Sequence, residues 1–218
     1  MTLPALEPAE FKRGPGGRPT RREAARRHIA LLNSATRLFL DHGLDAVSID
    51  EIAKRAGVAK RFIYARYRDK SELFVAAFEH WAVDRLDVLQ TFKPPRRRAE
   101  FGLVKFGHTL LDIGLQPDAL ALQRLLFSVA PRFPGLAEQF ISRNRRRGVA
   151  EVERVLAFYA DRGEIALTDS PAIAEQFFIS VIGIPQRLAL LGLRETPAAE
   201  KHRLRTAVRL FLDGCRAR

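Results

Sequence analysis

The sequence of 218 residues predicts an all-helical protein of about nine helices. Two observations carry that expectation: apolar residues recur at spacings of three and four along most of the chain, and no stretch alternates in the manner of a half-buried strand. A third sets the layout, because the Pro- and Gly-marked breaks divide the chain into a small N-terminal three-helix domain with a helix-turn-helix and a larger helical body. The expected division is an arm over 1–24, a head over 25–85 with its helix-turn-helix at about 48–67, and a body over 86–218.

With 47% hydrophobic residues the chain can bury a real core, so disorder is not the expectation. The net charge of +12 is uneven: residues 1–70 hold 15 Lys and Arg against 8 Asp and Glu. A basic N-terminal third favours a polyanionic partner, because neutralising phosphates releases condensed counterions. The single cysteine, Cys215, excludes an intramolecular disulfide and a cysteine-rich metal site. No apolar run approaches the roughly 20 residues a membrane span needs. The N-terminus lacks the apolar segment of a signal peptide, so the expected location is the cytoplasm.

Residues 1–19 are rich in Pro, Gly and charge and read as a flexible arm, in which Arg18 is placed to enter a minor groove. Thr20 and Glu23 fit a capping box that starts the first helix, with Ile29, Leu32, Ala35, Leu38 and Phe39 as its inward stripe. Gly43 is expected to end it as a left-handed residue. Ser48 and Glu51 form a second capping box and open a short helix that turns Ile49, Ile52 and Ala53 inward. Gly57 permits the positive φ of the turn and Val58 plugs the angle. The next helix is too short and polar to stand alone. Ile63 anchors it, so Lys60, Arg61, Tyr64 and Arg66 face outward, and Lys and Arg donate to guanine or phosphate oxygens in a major groove. Asp69 then caps a fourth helix with Lys70 at its start, where free amides favour a phosphate.

That helix runs over 71–92 until Lys93-Pro94-Pro95 breaks it. Body helices follow at about 96–115, 118–131, 134–161, 171–192 and 197–216, two of them opened by a cap and Pro, Ser170-Pro171 and Thr196-Pro197. The helix over 171–192 is apolar all round, so it must be buried on most sides. Together with a stripe on the last helix, its Phe178, Val181, Ile182 and Leu188 pair with Leu204, Val208 and Phe211 in an expected interface with a second copy; a purely internal core is the alternative. Arg143 to Arg147 read as a solvated face. His28, His42, His80, His108 and His202 show no metal-ligand spacing, no Gly-rich phosphate loop follows a strand, and no nucleophile elbow occurs, so neither cofactor nor catalysis is expected.

Residues 18–81 resemble the DNA-binding domain of the tetracycline-repressor (TetR) family of bacterial regulators. The resemblance is carried by Ile29, Ala35, Phe39, Gly43, the AVSI of 46–49, Ile52-Ala53, Ala56-Gly57-Val58, Ile63-Tyr64, Tyr67, Lys70 and Leu73-Phe74. It implies a homodimer whose heads bind a palindromic operator in double-stranded DNA and whose body binds a small-molecule effector. By position, Ser48, Tyr64 and Lys70 would contact phosphates, Lys60, Arg61 and Phe62 would lie nearest the base edges, and Tyr67 belongs to the same DNA-facing set. Many members carry Ser, a small residue and Thr where this chain has Ala59, Arg61 and Phe62; Phe62 therefore meets a thymine methyl or simply packs. An effector pocket is expected among Phe78, Trp81, His108, Gln123, Phe127 and Phe177, although the polar members serve equally as hydrogen-bonded core residues. The segment PRFPGLAEQF (131–140) and the RGEI of 162–165 resemble the C-terminal domain of one TetR subset. A ligand-released repressor is the expectation, and a helical carrier or enzyme with an incidental basic head is its rival.

Overall fold

The computed structural model describes residues 20–215, so the arm with Arg18 lies outside the described residues. Among these, nine helices and no strand occur: α1 (Arg21–Ala46), α2 (Ile49–Ala56), α3 (Lys60–Tyr64), α4 (Lys70–Thr91), α5 (Ala99–Gly114), α6 (Pro117–Val129), α7 (Pro134–Ala160), α8 (Ser170–Leu190) and α9 (Pro197–Gly214). No helix among them is long and apolar enough to cross a membrane. The helices belong to two compact units, one comprising the chain to Val83 together with Val129–Phe140, the other Asp84–Ser128 together with the chain from Ile141. Two details differ from the expected division: α1 begins at Arg21, inside the span read as arm, and the α6–α7 connector packs with the head rather than with its sequence neighbours.

In the head unit, Thr20 and Glu23 form the full capping box: Glu23 N–H donates to Thr20 Oγ1 (3.2 Å) and Thr20 N–H to Glu23 Oε2 (2.9 Å). The buried stripe of α1 follows Leu31, Leu32, Ala35, Leu38 and Phe39, which leaves Ile29 exposed, contrary to expectation. Gly43 has the expected positive φ of 84°, but its ψ of 172° is extended rather than left-handed helical. The helix kinks there, and Leu44 and Val47 beyond the kink are buried in the core. Thr36, the buried polar residue of this core, donates to Leu32 O (2.9 Å) and Ala77 O (3.1 Å), tying α1 to α4. Phe39, Phe74 and Phe78 form an aromatic cluster with centroids 4.7–6.4 Å apart. Phe78 is fully buried in this cluster, and Trp81 lies edge-on against it.

Tyr67, expected on the DNA-facing surface, is buried instead. Its hydroxyl is hydrogen-bonded to His28 Nε2 at 2.6 Å with the two rings stacked, so it ties the segment after α3 to α1. Burial lowers the His28 pKa, helped by the nearby positive charge of Arg66 and by His80, and burial raises that of Tyr67.

The body core gathers Leu103, Phe106 and Leu110 of α5, Val152, Val155, Leu156 and Tyr159 of α7, Phe177 and Val181 of α8, and Leu204 and Val208 of α9. Close approach depends on small residues: a Cβ at Gly107 would collide with Leu204, and one at Gly102 with the Tyr159 hydroxyl. Four residues expected at a dimer interface, Val181, Ile182, Leu204 and Val208, are buried within the protomer itself. Phe178, Leu188 and Phe211 are half-buried, and Phe211 packs edge-on against Phe177 at 5.0 Å. Of the expected pocket residues in the body unit, Phe177 is core, His108 and Gln123 are half-buried, and Phe127 is 60% exposed.

Pro185 sits inside α8 and brings no N–H to the carbonyl of Val181, four residues earlier. Arg203 fills that vacancy from α9: its Nη1 donates to Val181 O (3.3 Å), while its Nε donates to Glu195 Oε2 (2.8 Å). Arg203→Met should cost about 2 kcal/mol, since it strands a carbonyl and a half-buried carboxylate. In a Pro185→Ala background, where the substituted residue supplies the missing N–H, the cost should shrink, and denaturation of the four proteins in a double-mutant cycle measures the coupling. Strict additivity would show that the proline gap and Arg203 are unrelated.

The lowered His28 pKa carries a sign. Its stabilising contribution is complete above the ordinary value of 6.5 and disappears as pH falls through the lower folded value, because the fold resists protonation. Thermal melts should therefore show the wild type losing more stability on acidification below about 6.5 than His28→Gln, which has nothing to titrate. Parallel pH profiles would sink the assignment.

Candidate nucleic-acid interface

Local structure presents α3. Ser48 Oγ accepts from Glu51 N–H (3.1 Å) and so caps α2, although the return bond of a full capping box is not made. At the other end Gly57 is left-handed (φ 64°, ψ 31°), its N–H donates to Lys54 O (3.3 Å) and Val58 N–H donates to Ala53 O (3.0 Å), the paired bonds of a Schellman stop. The chain then re-enters as α3, five residues long, with no side-chain cap at Ala59. Its fully buried anchor is Ile63, and the faces beside that anchor are turned to solvent.

Arg61 is exposed and its guanidinium makes no hydrogen bond or ion pair with a described residue. Tyr64 is 57% exposed. Lys60 pairs with Asp50 of α2, but both side chains are more than half exposed, and such a pair contributes only about 0.2–1 kcal/mol. A phosphate or base edge competes for that ammonium on even terms. Phe62 is half-buried, with the Arg66 guanidinium 3.7 Å above its ring and Arg66 Nη1 donating to the Phe62 carbonyl (3.0 Å). The ring is thereby braced in one orientation. Arg27 of α1, Val58, Arg61, Phe62 and Arg66 line a hollow of about 300 Å³ beside α3. Arg66 is expected from the sequence to face outward here, whereas Arg27 reads there only as part of the positive charge on the first turns of α1.

Lys70 differs from expectation. Its Nζ donates to Val47 O (2.8 Å) and Asp45 O (3.2 Å), so two of its three N–H groups fix the segment between α1 and α2. Asp45 is held from the side as well, by an ion pair with Arg132 of the α6–α7 connector, whose guanidinium lies over Phe133. The start of α4 is capped by Asp69, which accepts from Glu72 N–H (2.9 Å); that bond holds the Asp69 carboxyl below its ordinary range, with Arg68 adding to the effect. Among the described residues no cluster of His, Cys, Asp and Glu is arranged to hold a metal.

Arg27, Arg61, Lys60, Arg66 and Tyr64 thus surround one short outward helix, a surface suited to a phosphate backbone and groove. Comparison with known proteins agrees. The model of bacterial regulatory proteins of the tetR family matches residues 31–77, and that of the C-terminal domain of AefR-like transcriptional repressors matches residues 102–215, more than half of the chain. The HTH-type transcriptional regulator YdeS of Bacillus subtilis is 43% identical over 64 residues, 29% of this chain and 32% of that protein. The chain thus spans only about a third of the length of such relatives, AcrR of Shigella flexneri being matched over 29% of its length. A longer match, 28% identical over 158 residues and covering 70% of both proteins, is to the HTH-type regulator Rv1556 of Mycobacterium tuberculosis. Of solved structures, a TetR-family regulator from Mesorhizobium loti superposes with a TM-score of 0.80 at 25% identity over 91% of this chain and all (100%) of the other. The flavonoid-responsive regulator FrrA follows at 0.72 and 27% identity, over 89% and 99%. These relatives are regulators and not enzymes, which removes the rival enzyme reading. The chain belongs to the TetR family of bacterial transcriptional regulators.

Proposed function

We propose that the protein is a cytoplasmic homodimeric repressor that holds a palindromic operator and releases it when an effector occupies its body. The observation that carries the DNA reading is α3 itself: Ile63 fixes it to the head while Arg61 and Tyr64 stand exposed beside it. Arg61 takes a base edge, since a guanidinium donates bidentately to guanine O6 and N7. Lys60 exchanges Asp50 for DNA, and the braced Phe62 ring offers an apolar face to a thymine methyl. Tyr64 and Ser48, whose hydroxyl hydrogen is not needed for its cap, donate to phosphates, and Arg18 follows the minor groove from the arm. Lys70 has one N–H left for a phosphate and otherwise sets the angle between α1 and α2.

The match of the body to the C-terminal domain of AefR-like repressors supports repression, and the Arg132-Phe133-Pro134 segment supports placing the chain within that subset. Dimerisation is supported by α8. Ile179 and Ile184 of α8 are 50% and 60% exposed, Leu191 at its C-terminal cap is 70% exposed, and Leu210 of α9 is 69% exposed. A short recognition helix discriminates poorly alone, whereas two of them about 34–36 Å apart read half-sites one turn apart. An effector alters DNA affinity only through its preference for one arrangement of the two heads, and that coupling is reciprocal.

Selection of bound fragments from random DNA should yield a two-fold symmetric consensus; no enrichment would overturn the proposal. Arg61→Ala should weaken binding by about 1–3 kcal/mol and relax preference at one position of each half-site, whereas Tyr64→Phe should weaken binding evenly across sequences. Ile184→Glu with Leu191→Glu should give a folded monomer in sedimentation with greatly weakened operator binding; an unchanged dimer would move the interface elsewhere.

A further inference from the structure

The body carries a cleft of about 720 Å³ that serves neither the DNA reading nor the fold. Arg96, Arg97 and Arg98, from the loop between α4 and α5, line it together with Arg162 from the end of α7, and Leu212 of α9 adds an apolar wall. Three successive arginines on a loose loop would be an ordinary solvated face. This loop is not loose. Arg154 Nη2 donates to Leu89 O (2.9 Å) and Phe92 O (3.1 Å) on the near side, and the Tyr159 hydroxyl donates to Pro95 O (3.0 Å) from beneath. On the far side Glu164 Oε2 accepts from Ala99 N–H (2.6 Å). The stretch from Arg96 to Arg98 is thus fixed between anchors on both sides.

The charges in the cleft are not matched. Glu164 answers Arg162, whose Nε donates to Oε1 (2.8 Å), and that bond, with the Ala99 amide and Arg98, keeps the Glu164 carboxyl below its ordinary range. Arg97 lies over the Phe101 ring at 4.8 Å. The guanidinium groups of Arg96 and Arg98 make no hydrogen bond or ion pair with a described residue, although Glu100 also lines the cleft. Because Glu164 already holds the first amide of α5, the binding potential lies in the arginine side chains rather than in a helix end. We propose that this cleft is a binding site for a small organic anion, its carboxylate or phosphate group taken by Arg96 and Arg98 and its apolar part lying against Leu212. A guanidinium pair suits either oxyanion, through paired N–H donors. The volume is that of an ordinary small-molecule site.

The two sources of the anionic group are separated by titrating the intact protein with octanoate and, independently, with inorganic phosphate at constant ionic strength, following backbone amides by NMR. Saturable shifts at Arg98, Ala99 and Glu100 with octanoate would identify an amphipathic carboxylate, and with phosphate a phosphate group; either supports the site. Arg96→Gln with Arg98→Gln, both exposed and expected to leave the melting temperature unchanged, should weaken that binding about tenfold or more. Glu164→Gln should strengthen it, because the resident negative charge is gone while an oxygen remains to cap Ala99. Absence of saturable shifts with both probes, or binding unaltered in the double variant, would overturn the proposal. Neither outcome depends on the DNA reading, since operator binding is measured separately and the head amides report on it.

Discussion

A helix of five residues has no stability of its own, so everything α3 does depends on what holds it. The holding is concentrated in very few atoms. Ile63 is buried under it, Val58 closes the angle behind it, and Tyr67 reaches back to His28 just after it. Because the anchor occupies one side chain in five, the remaining positions are released from packing and are available for recognition. The same logic explains why Phe62 needs Arg66. A half-buried ring at the rim of so small a helix has few neighbours to orient it, and a guanidinium bonded to the ring's own carbonyl supplies the missing constraint.

Elsewhere the fold meets another demand, that each interrupted stretch of helical backbone find replacement partners. Arginine answers it repeatedly. Arg203 serves the carbonyl that Pro185 leaves open, Arg124 Nη2 donates to Ala189 O (3.2 Å) at the end of α8, and Arg154 serves the end of α4. Gln186 does the same at the end of α5, donating to Gly114 O (3.3 Å), so this polar residue on an apolar helix is structural. Part of the basic excess of the body is therefore architectural. Arg96 and Arg98 stand apart because no carbonyl or carboxylate of a described residue is hydrogen-bonded to them.

The sequence made the helices legible because Pro, Gly and capping residues act locally: Thr20, Ser48, Asp69 and Thr196 each receive the amide their spacing promised. It was less informative about what each helix faces. A stripe at helical spacing announces burial but not its partner, which is why Val181, Ile182, Leu204 and Val208 could be assigned to a second copy and prove to pack within one protomer. Polar residues misled for a related reason. Lys70 and Tyr67 occupy positions expected to meet DNA, yet carbonyls 23 and 25 residues away and an imidazole 39 residues away engage them, at separations a one-dimensional pattern does not encode. Apolar character alone likewise did not distinguish the buried Phe177 from the exposed Phe127.

The all-round apolar character of α8 illustrates how such an ambiguity is resolved. Ala174, Phe177, Val181, Ile182 and Pro185 form the buried side of α8, whereas Ile179, Ile184 and Leu191 remain exposed. The first side is filled by α5 and α9 of the same chain, so the demand for burial read from the sequence is half met internally. What remains is the exposure of Ile179, Ile184 and Leu191, interspersed with the exposed Gln176, Ser180 and Arg187. A sequence can state that such a helix must be buried on most sides. Only the packed protomer divides that requirement between its own core and a partner, and the division assigns pairing to the residues that the core does not use.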